Sequence, residues 1–341
     1  MDKELKVGIL GCGMIADYHA KSVTEIPGLI LKGAYDVNEN SKNEFCKKYE
    51  ITAFLSKEDM LESKDVDIIC ICLPSGFHYP VALECIEHKK HVVVEKPMTF
   101  TTTEADEIIK KAKENEVFVT VISQMRYSKA VKDLKNAVDN GYFGRITTGD
   151  IYMKYYRSPE YYASSKWKGT LKMDGGGALM NQGVHGVDLL RYLMGPVKSV
   201  QSLSKTLCHE IEAEDTVSAI LEFENGALGV IQATTSVYPG FLRRLEISGT
   251  DGTVRLVEDT IEFCQFRDAS KNLECSKSEK QTGSRPDGMN HNLHKKQIAD
   301  FAEAIKNKEE PFINAVEGKK AIEIIEAIYK AAKTGEKIYL N

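Results

Sequence analysis

The sequence predicts an α/β protein of two domains, an N-terminal doubly wound parallel sheet and a C-terminal domain with a mainly antiparallel sheet. Three observations predict this fold class. The chain has 341 residues, more than twice the roughly 150 residues of an average domain. Short apolar runs alternate with helical patterns over residues 1–125, as parallel β-α-β units require. Longer segments of alternating polarity then follow one another across short turns, which is typical of antiparallel sheets.

The N-terminal domain, residues 1–125, is predicted from its apolar runs. Each run is nearly continuous, as a strand that is buried on both faces of a parallel sheet requires. A helical pattern separates each run from the next, so neighbouring strands are expected to be parallel. We expect strands at residues 5–10, 29–35, 67–73, 92–95 and 118–122, and helices at residues 14–23, 41–49, 78–88 and 103–115.

The C-terminal domain, residues 126–341, opens with a helix near residues 129–140. Asn225 and Gly226 are a strong hairpin signal between two strands. One helix, residues 177–194, ends at Gly195 and Pro196, as helix C-termini often do. The last two helices are expected either in this domain or packed back on the first. The predicted strands are 146–156, 198–207, 215–224, 227–236, 243–249 and 253–258, followed by a polar loop at 271–292 and helices at 293–307 and 316–334.

Composition excludes several classes of protein. Lys plus Arg is 45 and Asp plus Glu is 50, a net charge of −5, whereas nucleic-acid binders carry a clustered basic footprint. The apolar runs are too short for a membrane span. The charged first four residues lead directly into a strand pattern, so no signal peptide is expected. The eight cysteines contain no C-x-x-C pair, which favours a reduced, cytoplasmic protein and no metal site.

A glycine-rich turn follows the first predicted strand. Residues 11–16 read G-x-G-x-x-A and open a predicted helix. Gly11 permits the tight turn, and Gly13 lets the backbone approach a pyrophosphate. The next amides, at Met14 and Ile15, belong to the helix N-terminus, which attracts anions. The turn therefore predicts a dinucleotide site.

Asp36 ends the second predicted strand, twenty residues after Ala16. A carboxylate at this point binds a ribose diol and repels a 2′-phosphate. Residues 37–39 offer no cation for such a phosphate, so the pattern favours NAD over NADP. The alternative is an aspartate that only caps a loop at the end of its strand.

Glu95, Lys96 and Pro97, together with the glycine turn and residues 175–188, resemble the Gfo/Idh/MocA family. These are NAD(P)-dependent oxidoreductases that act mostly on sugars, sugar nucleotides and cyclitols. The resemblance covers essentially the whole chain. It implies a Rossmann domain followed by an α/β domain with a large open sheet. It also implies that Lys96 is catalytic and that the Lys96–Pro97 peptide is cis.

The residues around Lys96 support that assignment independently. Pro97 favours an extended backbone at Lys96, at the carboxyl edge of a parallel sheet where ligands bind. The alternative for Lys96 is a solvated surface lysine. Glu95 is included among the cofactor-binding residues, although we prefer to interpret it as a structural partner within the fold. By resemblance, Pro74, Ser75 and His78 should line the nicotinamide side.

A second cluster spans residues 174–188, where three glycines precede a helix. Gly177, Asn181, His185 and Asp188 are spaced to share one face of an α-helix. A buried histidine satisfied by Asp188 is the simple interpretation, whereas the resemblance implies that His185 is catalytic. Many family members have an aspartate where Asn181 stands. An amide cannot accept a proton, so Asn181 is expected to orient the substrate. Asn181 followed by Gln182 is similar to the branch that includes uridine-diphosphate-sugar 3-dehydrogenases, and is not confined to that branch.

Further substrate residues follow from the resemblance. Residues 167–170 are similar to a W-R-G-T element, with Lys168 in place of arginine, which keeps the charge and loses bidentate geometry. Tyrosines 152, 155, 156, 161 and 162 suit a sugar ring, although sheet packing is favoured for most of them. The expected substrate residues are Arg126, Tyr127, Trp167, Lys168, Asp174, Asn181 and His185. Further candidates to bind an anionic group of the substrate are Arg157, Arg243 and Arg244.

These residues predict an NAD-dependent sugar or cyclitol dehydrogenase. His185 would exchange the hydroxyl proton, Lys96 would stabilise the alkoxide, and Asp188 would fix the His185 tautomer. Two alternatives stay open: an NAD-retaining enzyme that cleaves glycosides, and a non-catalytic NAD-binding sensor. The resemblance implies a homodimer or homotetramer, and neither nucleic acid nor membrane is an expected partner. The particular substrate, its reacting carbon and the direction stay open.

Overall fold

The computed structural model describes residues 4–276 and 291–340. The chain divides into two compact units, Met1–Gln124 with Asn290–Lys319, and Met125–Met289 with Lys320–Asn341. The predicted ranges 1–125 and 126–341 assign Asn290–Lys319 to the second domain, whereas this segment clusters with the first unit. Within the described residues, no helix combines the length and the apolar character needed to cross a lipid bilayer.

The first unit contains a six-stranded parallel sheet in the order β3-β2-β1-β4-β5-β6, the doubly wound order of dinucleotide-binding folds. Its strands are β1 (Leu5–Leu10), β2 (Leu29–Tyr35), β3 (Thr52–Ala53), β4 (Ile68–Ile71), β5 (His91–Val94) and β6 (Val119–Val121). Its helices are α1 (Met14–Thr24), α2 (Glu39–Tyr49), α3 (Lys57–Glu62), α4 (His78–Glu87), α5 (Thr102–Asn115) and α10 (Asn292–Asn307). The predicted parallel sheet is confirmed.

The parallel pairing places the candidate cofactor residues on one edge of this sheet. β1 pairs in parallel with β2 and with β4, and β4 pairs in parallel with β5. The carboxyl ends of these strands therefore lie at the same edge, where open α/β sheets bind ligands. Gly11, Asp36, Pro74 and Lys96 each follow one of those strands within three residues.

The second unit contains an eight-stranded sheet in the order β13-β12-β11-β7-β10-β9-β8-β14. Its strands are β7 (Ile146–Lys154), β8 (Val197–Lys205), β9 (Thr216–Phe223), β10 (Leu228–Thr234), β11 (Arg244–Gly249), β12 (Gly252–Val257), β13 (Thr260–Phe266) and β14 (Ile338–Tyr339). Its helices are α6 (Lys129–Asp139), α7 (Pro159–Ala163), α8 (Leu171–Asp174) and α9 (Val184–Met194), and α11 (Ala315–Thr334) crosses the boundary between the units.

Most pairings in this second sheet are antiparallel, as predicted, and β7 with β10 is the parallel pair. The hairpin between β9 and β10 turns at Asn225 and Gly226, where Gly226 has φ +82°. The prediction missed β13 and β14. The predicted loop at residues 271–292 falls mostly on residues 277–290, which lie outside the described residues.

The helix predicted for residues 177–194 is two different helices. Ala178–Gly183 is π-helical, and α9 continues from Val184 to Met194. α9 packs closely on β7 because Gly186 has no side chain, and a Cβ there would collide with Met153. A π turn inserts one extra residue into the helical spacing. The prediction of one continuous α-helix over residues 177–194 is therefore wrong for its first turns.

Candidate active site

The glycine turn after β1 has the shape that a pyrophosphate needs. Gly11 has φ +90°, and a Cβ there would lie 2.5 Å from the backbone oxygen of Cys72. Gly13 precedes the first residue of α1, and a Cβ there would meet no atom within 4 Å. The space beside Gly13, at the start of α1, is therefore open. These features fit a dinucleotide phosphate at the helix N-terminus.

Alanine at the two glycines should have different effects. Gly11→Ala is expected to lower the free energy of unfolding by about 1–3 kcal/mol, because the residue is left-handed and crowded. Gly13→Ala should leave stability within about 0.5 kcal/mol but weaken NADH binding about tenfold or more, because its methyl group occupies the open space. Urea unfolding and NADH fluorescence titration measure the two effects. Equal effects at both positions would contradict this interpretation of the turn.

Asp36 is fixed beside the glycine turn by two backbone amides. The amide of Cys12 donates to Oδ2 and the amide of Asn38 donates to Oδ1, both at 2.8 Å. A carboxylate has about four acceptor sites, so capacity for a ribose diol is left. The ammonium of the nearby Lys42 is 2.7 Å from Glu39 Oε1, and that pairing disfavours its use for a 2′-phosphate.

In the segment after β4, the His78 ring is held by two backbone oxygens. Pro74 precedes a short 3₁₀ turn that starts at Ser75. The buried His78 ring lies 2.7 Å from the Pro97 oxygen through Nδ1 and 2.8 Å from the Leu73 oxygen through Nε2. Burial lowers the pKa of His78. His78 therefore holds the backbone beside Lys96 and has no ring nitrogen left for the nicotinamide.

Glu95 and Lys96 follow β5. The Glu95 side chain is buried, and its Oε2 accepts a 3.2 Å hydrogen bond from the Lys96 amide. Its Oε1 accepts a 2.8 Å hydrogen bond from His19 Nε2 of α1. The Lys96–Pro97 peptide is cis, as the resemblance implies. Glu95 is thus a structural partner rather than a group that faces solvent.

In the second unit, half-buried polar residues of the π segment form a hydrogen-bonded group with the buried Asp174. Asn181 Nδ2 donates to Asp174 Oδ1, and the Gly169 amide donates to Asp174 Oδ2 at 2.8 Å. Asp174 therefore fixes the orientation of the Asn181 amide. His185 is half-buried on α9, whereas its neighbours Val184 and Gly186 are buried.

Gln182 extends this group to an arginine and a tyrosine. Arg157 Nη2 donates to Gln182 Oε1 at 2.8 Å, and Gln182 Nε2 donates to the Tyr161 hydroxyl at 3.1 Å. Lys168 Nζ lies 4.2 Å from the centre of the Tyr161 ring. Burial lowers the pKa of Lys168. The arrangement offers donors, acceptors and an aromatic face, which suits a hydroxyl-rich ring.

Five sequence-predicted residues are buried or make contacts within the fold. Arg126 and Asp188 are 1% and 5% exposed and form a bidentate ion pair, with Nε 2.9 Å from Oδ2. The burial and the ion pair favour a structural role for Arg126, with Asp188 as its partner. Tyr127 is buried as well. Arg243 is buried and donates to the Glu258 oxygen at 2.9 Å. Trp167, which is half-buried, caps a turn through its backbone oxygen.

The sequence analysis missed Glu214, which anchors the π segment. Its carboxylate accepts from the Gly177 amide at 2.9 Å, the Leu179 amide at 2.8 Å and the Tyr329 hydroxyl at 2.9 Å. A Cβ on Gly177 would collide with the backbone of Glu214. Burial raises the pKa of Glu214 despite these donors. In the sequence, the only sign of this role was the position of Glu214, an acidic residue directly before the predicted strand 215–224.

Comparisons with known proteins match both parts of the chain to the same family. A family model described as "Oxidoreductase family, NAD-binding Rossmann fold" matches residues 5–123, and the GFO/IDH/MocA C-terminal domain matches residues 131–255. An uncharacterized oxidoreductase, YrbE of Bacillus subtilis, is 30% identical over 264 residues, 74% of each chain. Myo-inositol 2-dehydrogenase of Thermotoga maritima is 28% identical over 258 residues, covering 73% of this chain and 74% of that protein.

A solved structure extends the similarity to the full length. The WlbA dehydrogenase of Bordetella pertussis, in complex with NADH and UDP-GlcNAcA, superposes with a TM-score of 0.89. It is 30% identical and covers 100% of this chain and 99% of that one.

Proposed function

The chain belongs to the Gfo/Idh/MocA family of oxidoreductases with an NAD-binding Rossmann fold, and from this premise we propose that it moves a hydride between NAD and a hydroxyl-bearing carbon of a sugar, sugar derivative or cyclitol. NAD supplies the hydride acceptor or donor when bound. Gly11, Gly13, Met14 and Ile15 would hold its pyrophosphate and Asp36 its ribose. Pro74 and Ser75 would border the nicotinamide.

His185 and Lys96 would act on the same substrate oxygen. On oxidation, an imidazole nitrogen of His185 takes the hydroxyl proton while the hydride leaves the carbon, and a carbonyl forms. Histidine suits this role because its ordinary pKa lies near neutrality. Lys96 Nζ donates a hydrogen bond to the oxygen as negative charge develops on it. On reduction the proton returns from His185.

Asn181 would orient the substrate rather than move a proton. Its amide is held by Asp174, and this contact is the observation that carries the proposal. Asn181 and Gln182 thus present hydrogen-bonding groups on the helical segment that precedes His185. Arg157, Tyr161 and Lys168 join that group through hydrogen bonds or ring contacts, and would contact the rest of the substrate.

The proposal extends to compartment and assembly. All eight cysteines are free thiols, which supports a reducing, cytoplasmic location. A homodimer or homotetramer is proposed because apolar side chains such as Ile220 and Leu228 are exposed on the second sheet. Light scattering of the purified protein at micromolar concentration tests the assembly, and a monomer would contradict it.

A substrate panel tests the function directly. The purified protein is incubated with NAD and with free sugars, inositols and nucleotide sugars, and NADH absorbance is followed. We expect NADH from at least one class, with NADP at least about tenfold less efficient because of Asp36. Sugar release without net NADH would indicate the glycoside-cleaving alternative. Cofactor binding without turnover of alcohols or of the matching ketones would indicate a sensor.

A further inference from the structure

Three titratable side chains are buried together next to Lys96. His19 of α1 is 0% exposed, Glu95 is 7% exposed and His294 of α10 is 2% exposed. His19 Nε2 lies 2.8 Å from Glu95 Oε1, and His294 Nε2 lies 3.7 Å from the same oxygen. The two imidazole rings meet edge to face, with centroids 5.7 Å apart. Both histidines therefore direct Nε2 at one carboxylate.

The other ring nitrogen of each histidine is buried without a partner in the described part of the chain. His19 Nδ1 and His294 Nδ1 have no hydrogen-bond partner among the described residues. A neutral ring with its proton on Nε2 leaves only an acceptor unpaired at Nδ1. An imidazolium, or a ring that binds a metal through Nε2, would instead bury an N–H donor without an acceptor, which native structures rarely do. Metal-bound histidines almost always donate that N–H.

A metal ion is the obvious alternative for this cluster, because its three ligand atoms lie within 4.8 Å of one another. The unpaired Nδ1 atoms argue against a bound metal, because each would then carry an N–H donor without an acceptor. Burial alone would raise the pKa of Glu95, but the interactions with His19 and His294 outweigh burial and hold the pKa well below its ordinary value. Glu95 is therefore an anion at neutral pH.

Burial disfavours the charged forms of other titratable groups that face Glu95. Burial raises the pKa of the Cys70 and Cys72 thiols, which lie on β4 and directly after it. Burial also lowers the pKa of His78 on α4. The carboxylate of Glu95 thus lies at the Lys96 backbone amide, in surroundings of low polarity where charges act strongly on each other.

The position of His294 is itself fixed. Gln297, one turn along α10, donates to the Val121 oxygen at 2.7 Å and accepts from the Ser123 amide at 3.0 Å. These contacts attach α10 to the end of β6. The histidine pair therefore joins two rigid helices to the residue before Lys96.

We propose that His19, Glu95 and His294 form a positioning unit for Lys96, which fixes the backbone at residue 96 and supplies a buried negative charge that keeps the lysine amine protonated. The proposal rests on the proposed role of Lys96. The Lys96 amide donates directly to Glu95 Oε2, and α1, which carries His19, begins at the glycine turn. The unit thereby connects the cofactor end of the first unit with its catalytic lysine.

The titration of Lys96 tests the proposal without any substrate. Pulse acetylation over a range of pH, followed by peptide mass spectrometry, gives the pKa of the Lys96 amine. Because Glu95→Gln removes a nearby negative charge, it should lower that pKa by about one pH unit, a tenfold loss of proton affinity. The alkaline limb of kcat should move to lower pH by the same amount. NADH affinity should change by less than about threefold, and exposed His88→Gln should change nothing.

A pair of His19 variants provides the second test. His19→Ala should lower kcat about tenfold, whereas His19→Gln should recover most of it, because the amide can donate to Glu95 Oε1. This pair decides the question if Glu95→Gln does not fold. An unchanged Lys96 pKa in folded Glu95→Gln would overturn the proposal. So would equal losses in both His19 variants, or stoichiometric divalent metal in the active protein. The Lys96 titration needs no substrate, so it can be measured even if the substrate panel gives no activity. Failure of the proposed function and failure of the positioning proposal are therefore distinguishable.

Discussion

Lys96→Met is expected to lower kcat about 10²–10³-fold, the usual loss when one donor to a developing oxyanion is removed. Methionine keeps the length and apolar stem of lysine and loses the charge. The Lys96 backbone is held from two sides, by Glu95 through its amide and by His78 through the Pro97 oxygen. The substitution should therefore leave the segment in place and remove only the amine.

The measurement separates chemistry from binding. Single-turnover kinetics on the substrate identified in the panel gives the loss in the chemical step, and NADH titration should give a Kd within about threefold of the parent protein. Lys64→Met is the matched control, since Lys64 is an exposed lysine of the same unit. A Lys96→Met enzyme with full kcat would remove Lys96 from the mechanism.

Five of the six strands of the first sheet were predictable, because burial on both faces gives a nearly continuous apolar run, whereas the two-residue, exposed β3 was missed. β2 was predicted at residues 29–35 and is observed at Leu29–Tyr35, since each residue of the run packs against helices or neighbouring strands. The Gly11 turn was predictable for a similar reason. Its positive φ and its contact with the Cys72 backbone tolerate no side chain.

The π segment was not predictable from periodicity. Apolar residues from Ala178 to Met194 fit one continuous helix, and nothing local separates i→i+4 from i→i+5 hydrogen bonding. The cause lies elsewhere in the chain, where Glu214 receives the amides of Gly177 and Leu179. β14 was missed because a two-residue strand carries no pattern, and its pairing with β8 defines it.

The site was predicted incompletely because the sequence does not show which groups each polar side chain contacts in the fold. Arg126 and His78 carry the chemistry expected of ligand-binding residues, but the fold assigns them to Asp188 and to two backbone oxygens. His19 was missed although it lies on the buried face of α1 with Ala16 and Val23. A polar residue at an apolar position of a helix was the signal, and its partner, Glu95, is distant in sequence.

Arg126→Met is expected to lower the free energy of unfolding by about 3–5 kcal/mol, because it leaves the buried Asp188 carboxylate without its partner. The two side chains are 1% and 6% exposed, and the guanidinium also lies 4.6 Å from the centre of the Tyr192 ring. Methionine fills most of the volume, so the loss reports an uncompensated charge rather than a cavity. Urea unfolding of the second unit measures it, and Arg145→Met, at an exposed arginine, is the control.

The double variant Arg126→Met with Asp188→Leu distinguishes a structural ion pair from a substrate site. Replacing both charges by apolar groups of similar volume removes the desolvation cost together with the attraction, and should recover most of the lost stability. Since the pair is buried within the second unit, its removal should also leave kcat within about threefold of the parent enzyme. If Arg126 instead bound an anionic substrate, the double variant would be stable and inactive, with a raised KM. Stability and KM measured on the same protein therefore decide between the two roles.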